Sequence, residues 1–215
     1  MTEAKIECKN LTVKLGGKTP LEHFDLEVKD GERVTLTGRS GSGKTTVLRT
    51  ILGFVQPENG EIRIADEKLD AYSVWNLRVK MAYVAQEPQL GRGTVRDVLE
   101  RPFHYRANHD LRENLARVEA LAEKFMLEKD RLDQKIEDLS GGEKQRIAII
   151  AALLLDREIL LLDEASSALD SESKAAVADY LRNDDSLTIL SVSHDEKGFD
   201  ISGRSTRLGG GGGRE

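Results

Sequence analysis

Short apolar runs separated by turn residues dominate the first part of the chain. These runs occupy residues 6–8, 26–28, 33–37 and 61–64, and turns rich in Gly, Asn and Asp lie between them. Apolar runs of this length, bounded by such turns, are typical of β-strands. Residues 44–52 are predicted to form a helix among these strands.

The pattern changes after one more candidate for a buried strand, at residues 81–85. Pro88, Gly91 and Gly93 mark a loop, and residues 94–127 are highly charged with apolar residues at helical spacing, which predicts a helical region. Helix and strand patterns then alternate at residues 139–155, 159–162, 172–181 and 187–192. This alternation predicts an α/β fold with a mostly parallel sheet that is covered on both faces.

Composition and charge narrow the class of protein. The 215 residues are 39% hydrophobic and 33% charged, which fits one compact globular unit. The net charge of -6 argues against a nucleic-acid partner, because that affinity depends on Lys and Arg. Cys8 is expected to be a buried, inert thiol.

We expect a cytoplasmic protein that reaches the membrane only through another chain. The N-terminus lacks the charged and then apolar pattern of a signal peptide. The longest apolar stretch, residues 147–162, is interrupted by Asp156, Arg157 and Glu158, so neither piece approaches the roughly 20 apolar residues of a membrane span. No direct membrane insertion is therefore predicted.

A glycine-rich stretch at residues 38–45 fits the phosphate-binding pattern G-x-x-x-x-G-K-[ST] between a predicted strand and a predicted helix. Glycines let successive backbone N–H groups point at phosphate oxygens, and the helix adds the positive end of its dipole. Lys44 is predicted to reach the β and γ phosphates of a bound nucleotide, and Thr45 to bind Mg²⁺. The predicted nucleotide-binding residues of this loop are Gly38, Arg39, Ser40, Gly41, Ser42, Gly43, Lys44, Thr45 and Thr46.

Two carboxylates follow the apolar run at residues 159–162, where a parallel strand would end. Ligands of open α/β sheets bind at this edge. Asp163 is predicted to hold magnesium, directly or through water, and Glu164 to act as the general base that positions a water for attack on the γ phosphate. Motor proteins, kinases, GTPases and transporters all share these two motifs, so they leave those classes open.

A second anion site is predicted at residues 139–143, Leu-Ser-Gly-Gly-Glu. Ser140 and Glu143 have the spacing of a capping box, so a helix begins here with free N–H groups and two glycines that permit close approach. The whole stretch from Leu139 to Ile147 resembles the signature of the ABC ATPase superfamily. The resemblance extends from about residue 6 to residue 201, with the motifs in the family's order.

The resemblance implies roles for residues that would carry no functional signal alone. Gln86 matches the glutamine that contacts magnesium and connects the ATP site to the helical subdomain. Residues 167–170, ending in Asp170, match the D-loop at the dimer interface, and His194 matches the switch histidine that contacts the γ phosphate. Glu164, His194, Lys44 and Gln86 are thus the expected catalytic residues.

The family also implies an architecture: a P-loop NTPase with a mostly parallel central sheet, an N-terminal antiparallel β subdomain and an inserted α-helical subdomain. We expect one domain over residues 1–207, with residues 1–87 and 155–207 as the catalytic core and 88–154 as the helical subdomain. Residues 208–215, with five consecutive glycines, are expected to be a flexible tail.

The resemblance implies a head-to-tail dimer that binds ATP and Mg²⁺, and we expect this chain to form it as a homodimer. Ser140, Gly141 and Gly142 of one subunit, with Asp170, are expected to complete the site built on Lys44 of the other. The single cassette argues against a translation factor, and the lack of a coiled-coil insertion argues against a DNA-repair ATPase. Transport through a separate membrane permease remains, with peripheral attachment to the inner face of the cell membrane.

The segment from Tyr83 to Phe103 resembles bacterial iron-export-type ATPases that pair with a small permease. Importer ATPases for metals, phosphate or amino acids share most of these residues and are one alternative. The others are a non-transport ABC ATPase and a cassette that binds nucleotide without hydrolysis. The chain departs from the family before Gly16, where Leu15 and its neighbours offer no aromatic residue to stack on adenine. We therefore expect weaker or less base-selective nucleotide binding.

Overall fold

The computed structural model describes residues 3–194, 199, 201 and 203–208, and within them two sheets and six α-helices. The strands are β1 (Ala4–Leu15), β2 (Lys18–Lys29), β3 (Arg33–Thr37), β4 (Asn59–Ile64), β5 (Glu67–Lys68), β6 (Met81–Val84), β7 (Ile159–Asp163), β8 (Thr188–Ser193) and β9 (Arg204–Arg207). The α-helices are α1 (Lys44–Ile51), α2 (Val74–Arg78), α3 (Val95–Glu100), α4 (Val118–Lys124), α5 (Gly141–Leu154) and α6 (Ser171–Arg182). The 3₁₀ turns cover Arg101–His104, Arg106–Arg117, Lys129–Asp133 and Ile136–Asp138.

The N-terminal sheet is antiparallel, with strand order β2-β1-β4-β5. The short strands predicted at residues 6–8 and 26–28 belong to a hairpin of two 12-residue strands, because their mutual ladder runs from Ala4 opposite Lys29 to Leu15 opposite Lys18, beyond the apolar runs. Cys8 is buried in this sheet, and burial raises the pKa of its thiol to about 12, as an inert core thiol requires.

The second sheet is parallel, with strand order β6-β7-β8-β3-β9. All five residues of its central strand β7 are buried, which explains the uninterrupted apolar run in the sequence. Leu160 and Leu162 pack with the helical region, whereas Ile159 and Leu161 pack with α1 and the antiparallel sheet. Both faces of the parallel sheet are therefore covered, and the predicted fold class is confirmed.

The end of the described chain differs from the predicted tail. Strand β9 was not predicted; it pairs in parallel with β3, and the Leu208 N–H donates to the Thr37 carbonyl at 2.7 Å. Leu208 is buried because its side chain closes one edge of the core, so it does not belong to a flexible tail. Residues 209–215, the rest of the predicted tail, lie outside the described residues.

The helical region is less regular than the charged pattern at residues 94–127 predicts. Between α3 and α4 the backbone forms 3₁₀ turns, and none of the residues in Arg106–Arg117 is fully buried. Leu111 and Leu115 reach only the margin of the core, too little apolar contact to support a full α-helix. The proposed boundary of a helical subdomain at residues 88–154 stays a prediction, since one hydrophobic cluster joins this region to β7 and β8. Within the described ranges, no helix is long and apolar enough to cross a membrane.

Candidate functional site

The glycine-rich loop connects the carboxyl end of β3 to the first turn of α1. Gly43 has a φ of 98°, and a Cβ there would lie 2.6 Å from the Pro20 carbonyl oxygen in β2. Glycine is therefore required twice, for the left-handed backbone and for contact with the hairpin. This contact fixes the entry of the loop into α1 and points the first N–H groups of the helix into the loop.

Lys44 lies at the centre of the loop, with a side chain that is only 4% exposed. Its ammonium donates to the carbonyls of Gly38 at 2.8 Å and Arg39 at 3.2 Å. It also lies 3.4 Å from Nδ1 of His194 and 3.9 Å from Oε1 of Glu164. The loop thus holds the buried Lys44 ammonium so that it faces His194 and Glu164, the two residues predicted to act on the γ phosphate.

The predicted metal residues Thr45 and Asp163 are in contact. The Thr45 hydroxyl donates to Oδ1 of Asp163 at 3.0 Å, and the Asp163 side chain lies at the carboxyl end of β7 with 3% exposure. Hydroxyl and carboxylate oxygens are the ligands Mg²⁺ prefers, so these residues fit a magnesium ion. The described residues contain no cluster of three or more His, Cys, Asp or Glu side chains that could hold a metal. A magnesium ion here would therefore need phosphate and water for its other ligands.

Glu164 follows β7 with a left-handed backbone, φ 49°, and its N–H donates to the Val192 carbonyl of β8. A left-handed conformation is uncommon for a side chain of this kind and has a modest energetic cost. It aims the carboxylate at His194, whose Nε2 lies 2.7 Å from Oε1 of Glu164. We name Lys44, Thr45, Asp163, Glu164 and His194 the P-loop cluster; the structure brings all five together.

The predicted capping box at the start of α5 is present. The Ser140 hydroxyl accepts from the Glu143 N–H at 3.2 Å, and the Glu143 carboxylate accepts from the Ser140 N–H at 2.8 Å. Gly142 is close to the D-loop, since a Cβ there would lie 2.9 Å from the Ala168 carbonyl oxygen. A Cβ on Gly141 would meet nothing within 4 Å, so no neighbour within the described chain requires glycine at this exposed position.

Asp170 caps α6 and accepts from the Ser173 N–H at 2.8 Å and the Ser173 hydroxyl at 3.0 Å. These hydrogen bonds, and then the nearby Arg146 guanidinium, hold the pKa of Asp170 below its usual value. We name Ser140, Gly141, Gly142 and Asp170 the signature surface. In the described part of the chain, the Ser140 side chain bonds only to Glu143, so the signature surface is separate from the P-loop cluster.

Gln86 lies just beyond the end of β6 and is exposed. Among the described residues its side chain has no hydrogen-bond partner, so the structure does not bring it to Asp163. Sequence reasoning missed Gln145, a fully buried residue of α5 whose side-chain amide donates to the Ala85 carbonyl at 3.2 Å. The sequence signal for Gln145 was a polar residue on the apolar face of α5. Its hydrogen bond connects α5 to the backbone next to Gln86.

Sequence reasoning also missed Tyr83, whose hydroxyl donates to Oδ2 of Asp163 at 2.9 Å. Burial, and then the charge of Asp163 and this hydrogen bond, raise the pKa of Tyr83 well above its usual range. The available signal was a single phenol in the apolar strand Met81–Val84. Its partner lies 80 residues away in sequence, so the pattern alone could not identify the contact.

Comparisons with known proteins place this geometry in a family. The sequence profile described as ABC transporter matches residues 21–167. The chain is 36% identical over 180 residues to the energy-coupling factor transporter ATP-binding protein of Bacillus subtilis, covering 81% of this chain and 63% of the relative. It is 38% identical over 206 residues to the ATP-dependent lipid A-core flippase of Neisseria gonorrhoeae, covering 89% of this chain and 32% of the flippase. The chain therefore spans less than two thirds of the length of either relative.

Solved structures agree with the sequence relatives. A dimeric bacterial ABC transporter cassette superposes with a TM-score of 0.83 at 32% identity, covering 94% of both chains. A cassette dimer in a post-hydrolysis state, bound to ADP and phosphate, gives a TM-score of 0.79 at 30% identity, also over 94% of both chains. The profile covers more than half of this chain, and it includes the glycine-rich loop, the signature surface up to Gly142 and both carboxylates at the carboxyl end of β7. The chain belongs to the ABC transporter family.

Proposed function

We propose that this chain binds and hydrolyses ATP as a subunit of an ABC transporter and energises transport through a separate membrane permease. The observation that carries the proposal is the convergence of the P-loop cluster within one chain, while the signature surface stays exposed and makes its own local contacts. One chain therefore offers one half of a site at each of two places. A head-to-tail homodimer would join the halves, and the dimeric cassettes among the structural neighbours support this arrangement.

In the proposed site the glycine-rich loop binds the phosphates of ATP through its N–H groups. The Lys44 ammonium exchanges carbonyl contacts at Gly38 and Arg39 for contacts to phosphate oxygens. Thr45 and Asp163 would hold Mg²⁺, which would supply positive charge to offset that of the phosphates. Ser140, with the N–H groups of the first turn of α5, approaches the γ phosphate from the second subunit.

Glu164 is the proposed general base. Its carboxylate is mostly buried, is held on His194 at 2.7 Å and is aimed by a left-handed backbone, so it is placed to orient one water and take its proton. His194 positions this carboxylate and contacts the γ phosphate. Gln86 would contact the metal, and the hydrogen bond from Gln145 to the Ala85 carbonyl would connect the loop of Gln86 to α5. Asp170 of the second subunit helps to complete the ATP site from across the dimer interface.

An apolar groove beside Gln86 is the proposed docking surface for the permease. The groove encloses about 220 Å³ between the end of β6 and α5, and its lining includes Pro88, Leu90, Pro102, Ala148, Ala151 and Leu155. A permease helix that inserts apolar side chains here would contact both the loop that carries Gln86 and helix α5. Transport would then be coupled to ATP at the inner face of the cell membrane.

The proposal includes no cargo. The named relatives include an energy-coupling factor transporter protein, a lipid A-core flippase and, at 26% identity and a TM-score of 0.81, a bacterial exporter of the Atm1 family. None of these names supports the predicted likeness to iron-export-type ATPases. Co-purification with the permease identifies the cargo class, because the cargo contacts that protein.

The variant Glu164→Gln tests the proposed function. We expect phosphate release to fall by about 10²- to 10⁴-fold, because the water loses its base, while ATP binding persists. An ATP-bound dimer should then accumulate, which light scattering on a sizing column detects. Glu172→Gln, an exposed change in α6, is the matched control and should hydrolyse ATP normally. Normal turnover by Glu164→Gln would refute the role of the base, and no phosphate release by the wild type with its permease would favour a binding module.

A further inference from the structure

The carboxylate of Asp163 has two hydroxyl donors from two different elements. Thr45, in α1, donates to Oδ1 at 3.0 Å, and Tyr83, in β6, donates to Oδ2 at 2.9 Å. In the described part of the chain these are its two hydrogen bonds. Each carboxylate oxygen is thus held separately, although the side chain is almost fully buried.

The position of Tyr83 follows from strand pairing. Strand β6 lies in parallel beside β7, with Tyr83 opposite Leu161, two residues before Asp163. A tyrosine side chain is long enough to extend along the strand direction and reach that carboxylate. A tyrosine hydroxyl, with an ordinary pKa of about 10, carries its proton at physiological pH and can therefore donate to this carboxylate.

The two donors hold different oxygens of the carboxylate. A hydroxyl has one proton to donate and two lone pairs, so Thr45 can keep its bond to Oδ1 and still bind a cation. Tyr83 is on the other side of the carboxylate, and its bond opposes rotation about the last side-chain torsion, which is otherwise broad for aspartate. Without that bond, Oδ2 would be a buried acceptor with no donor, and the carboxylate would turn to share Thr45.

We propose that Tyr83 is a positioning residue for the magnesium site. Its hydrogen bond holds Asp163 in the orientation that binds the metal together with the nucleotide. This inference rests on the proposed function, in which Thr45 and Asp163 hold Mg²⁺. Tyr83 contacts neither phosphate nor metal in this scheme; it acts through Asp163. Groups of this kind behind a metal ligand typically contribute about 10- to 100-fold in metal affinity.

Tyr83→Phe removes only the hydroxyl and keeps the ring that packs against the core. ATP affinity is measured by calorimetry twice, once with EDTA and once with saturating Mg²⁺. For the wild type we expect Mg²⁺ to strengthen ATP binding. For the variant we expect unchanged affinity in EDTA and a magnesium-dependent gain smaller by about tenfold. Tyr105→Phe, at an exposed tyrosine in the helical region, should match the wild type in both titrations.

Hydrolysis provides the second measurement. The Mg²⁺ concentration for half-maximal rate should rise about tenfold in Tyr83→Phe, with the maximal rate at saturating Mg²⁺ close to that of the wild type. A packing defect alone would lower the melting temperature without moving the Mg²⁺ dependence. Identical Mg²⁺ titrations for Tyr83→Phe and wild type would overturn the positioning role and leave the proposed function standing. Absence of any Mg²⁺ effect on ATP binding by the wild type would overturn both.

Discussion

The P-loop cluster and the signature surface each place a helix N-terminus beside glycines, but the two regions differ in burial and in their contacts. In the P-loop cluster, Lys44 is buried, Glu164 is mostly buried, and His194 contacts both side chains. In the signature surface, Ser140 and Gly141 are exposed, and the polar contacts of Ser140 are those of its own capping box. Under the proposed function, the first region is the half of the ATP site that binds the nucleotide, and the second is the half that completes the site of a partner subunit.

The glycines show the difference most directly. Gly43 and Gly142 are explained within the chain, because a Cβ would collide with the carbonyls of Pro20 and Ala168. Gly141 has open space around it, so under the proposed function its lack of a side chain leaves room for a group that approaches from outside. A second copy of the chain, bringing its own bound triphosphate, meets that requirement under the proposed function.

The largest effects should come from a pair of variants that separates the two regions. Lys44→Met removes a charged donor to phosphate, and we expect ATP affinity of the isolated chain to fall by about 10- to 100-fold. Gly141→Asp has room for its side chain and suits a helix N-terminus, so the protein should fold and bind ATP normally as an isolated chain. Its carboxylate would repel the triphosphate of a partner, and hydrolysis should fall by at least about 100-fold.

The measurements for this pair are calorimetric ATP binding and phosphate release. Gly141→Asn, with the same size but no charge, is the control and should retain much more activity than Gly141→Asp. If Gly141→Asp weakened ATP binding by the isolated chain as strongly as Lys44→Met does, the two regions would share one site within one subunit.

A smaller effect should come from the hairpin beside the P-loop. Leu15, which is 44% exposed at the end of β1, stands where the family usually has a base-stacking aromatic residue. Leu15→Tyr should raise ATP affinity by about 5- to 100-fold, since stacking on an aromatic ring contributes about 1–3 kcal/mol. Fluorescent ATP and GTP titrations measure it, with Leu15→Ile as control. A strong preference for ATP in the wild type would contradict weak recognition of the base.

The smallest expected effect concerns stability and contrasts two adjacent glycines. Gly142→Ala places a Cβ 2.9 Å from the Ala168 carbonyl oxygen, so the D-loop must shift, and we expect a loss of about 1–3 kcal/mol. The melting temperature should fall by about 2–4 °C for each kcal/mol. Gly141→Ala meets no atom and should melt at or above the wild-type temperature. Equal melting temperatures would show that the D-loop yields freely to the added methyl group.

The parts of the molecule also differ in how much of their structure the sequence predicted. Lys44, Asp163 and Ser140 were predicted because phosphate and magnesium chemistry dictates their residue types and spacing. Strand β7 was predicted because burial on both faces requires an unbroken apolar run. These features are local in sequence, or they follow from motifs that are themselves local in sequence.

The remaining features depend on distant contacts. Tyr83 meets Asp163 across 80 positions, and Gln145 meets Ala85 across 60, so neither partner is visible in the local pattern. Strand β9 consists of polar and partly exposed residues and forms because β3 offers a free edge. The left-handed backbone of Glu164 depends on a bond to Val192 in the neighbouring strand.

Mixing the two inactive variants tests the composite site most directly. Lys44→Met keeps an intact signature surface, and Gly141→Asp keeps an intact P-loop cluster, so their heterodimer has one complete site and one doubly defective site. Each variant alone should release almost no phosphate, whereas an equimolar mixture should recover about one quarter of the wild-type rate, since about half of the dimers are heterodimers with one working site of two. A mixture no more active than the mean of the separate variants would contradict a site shared between subunits.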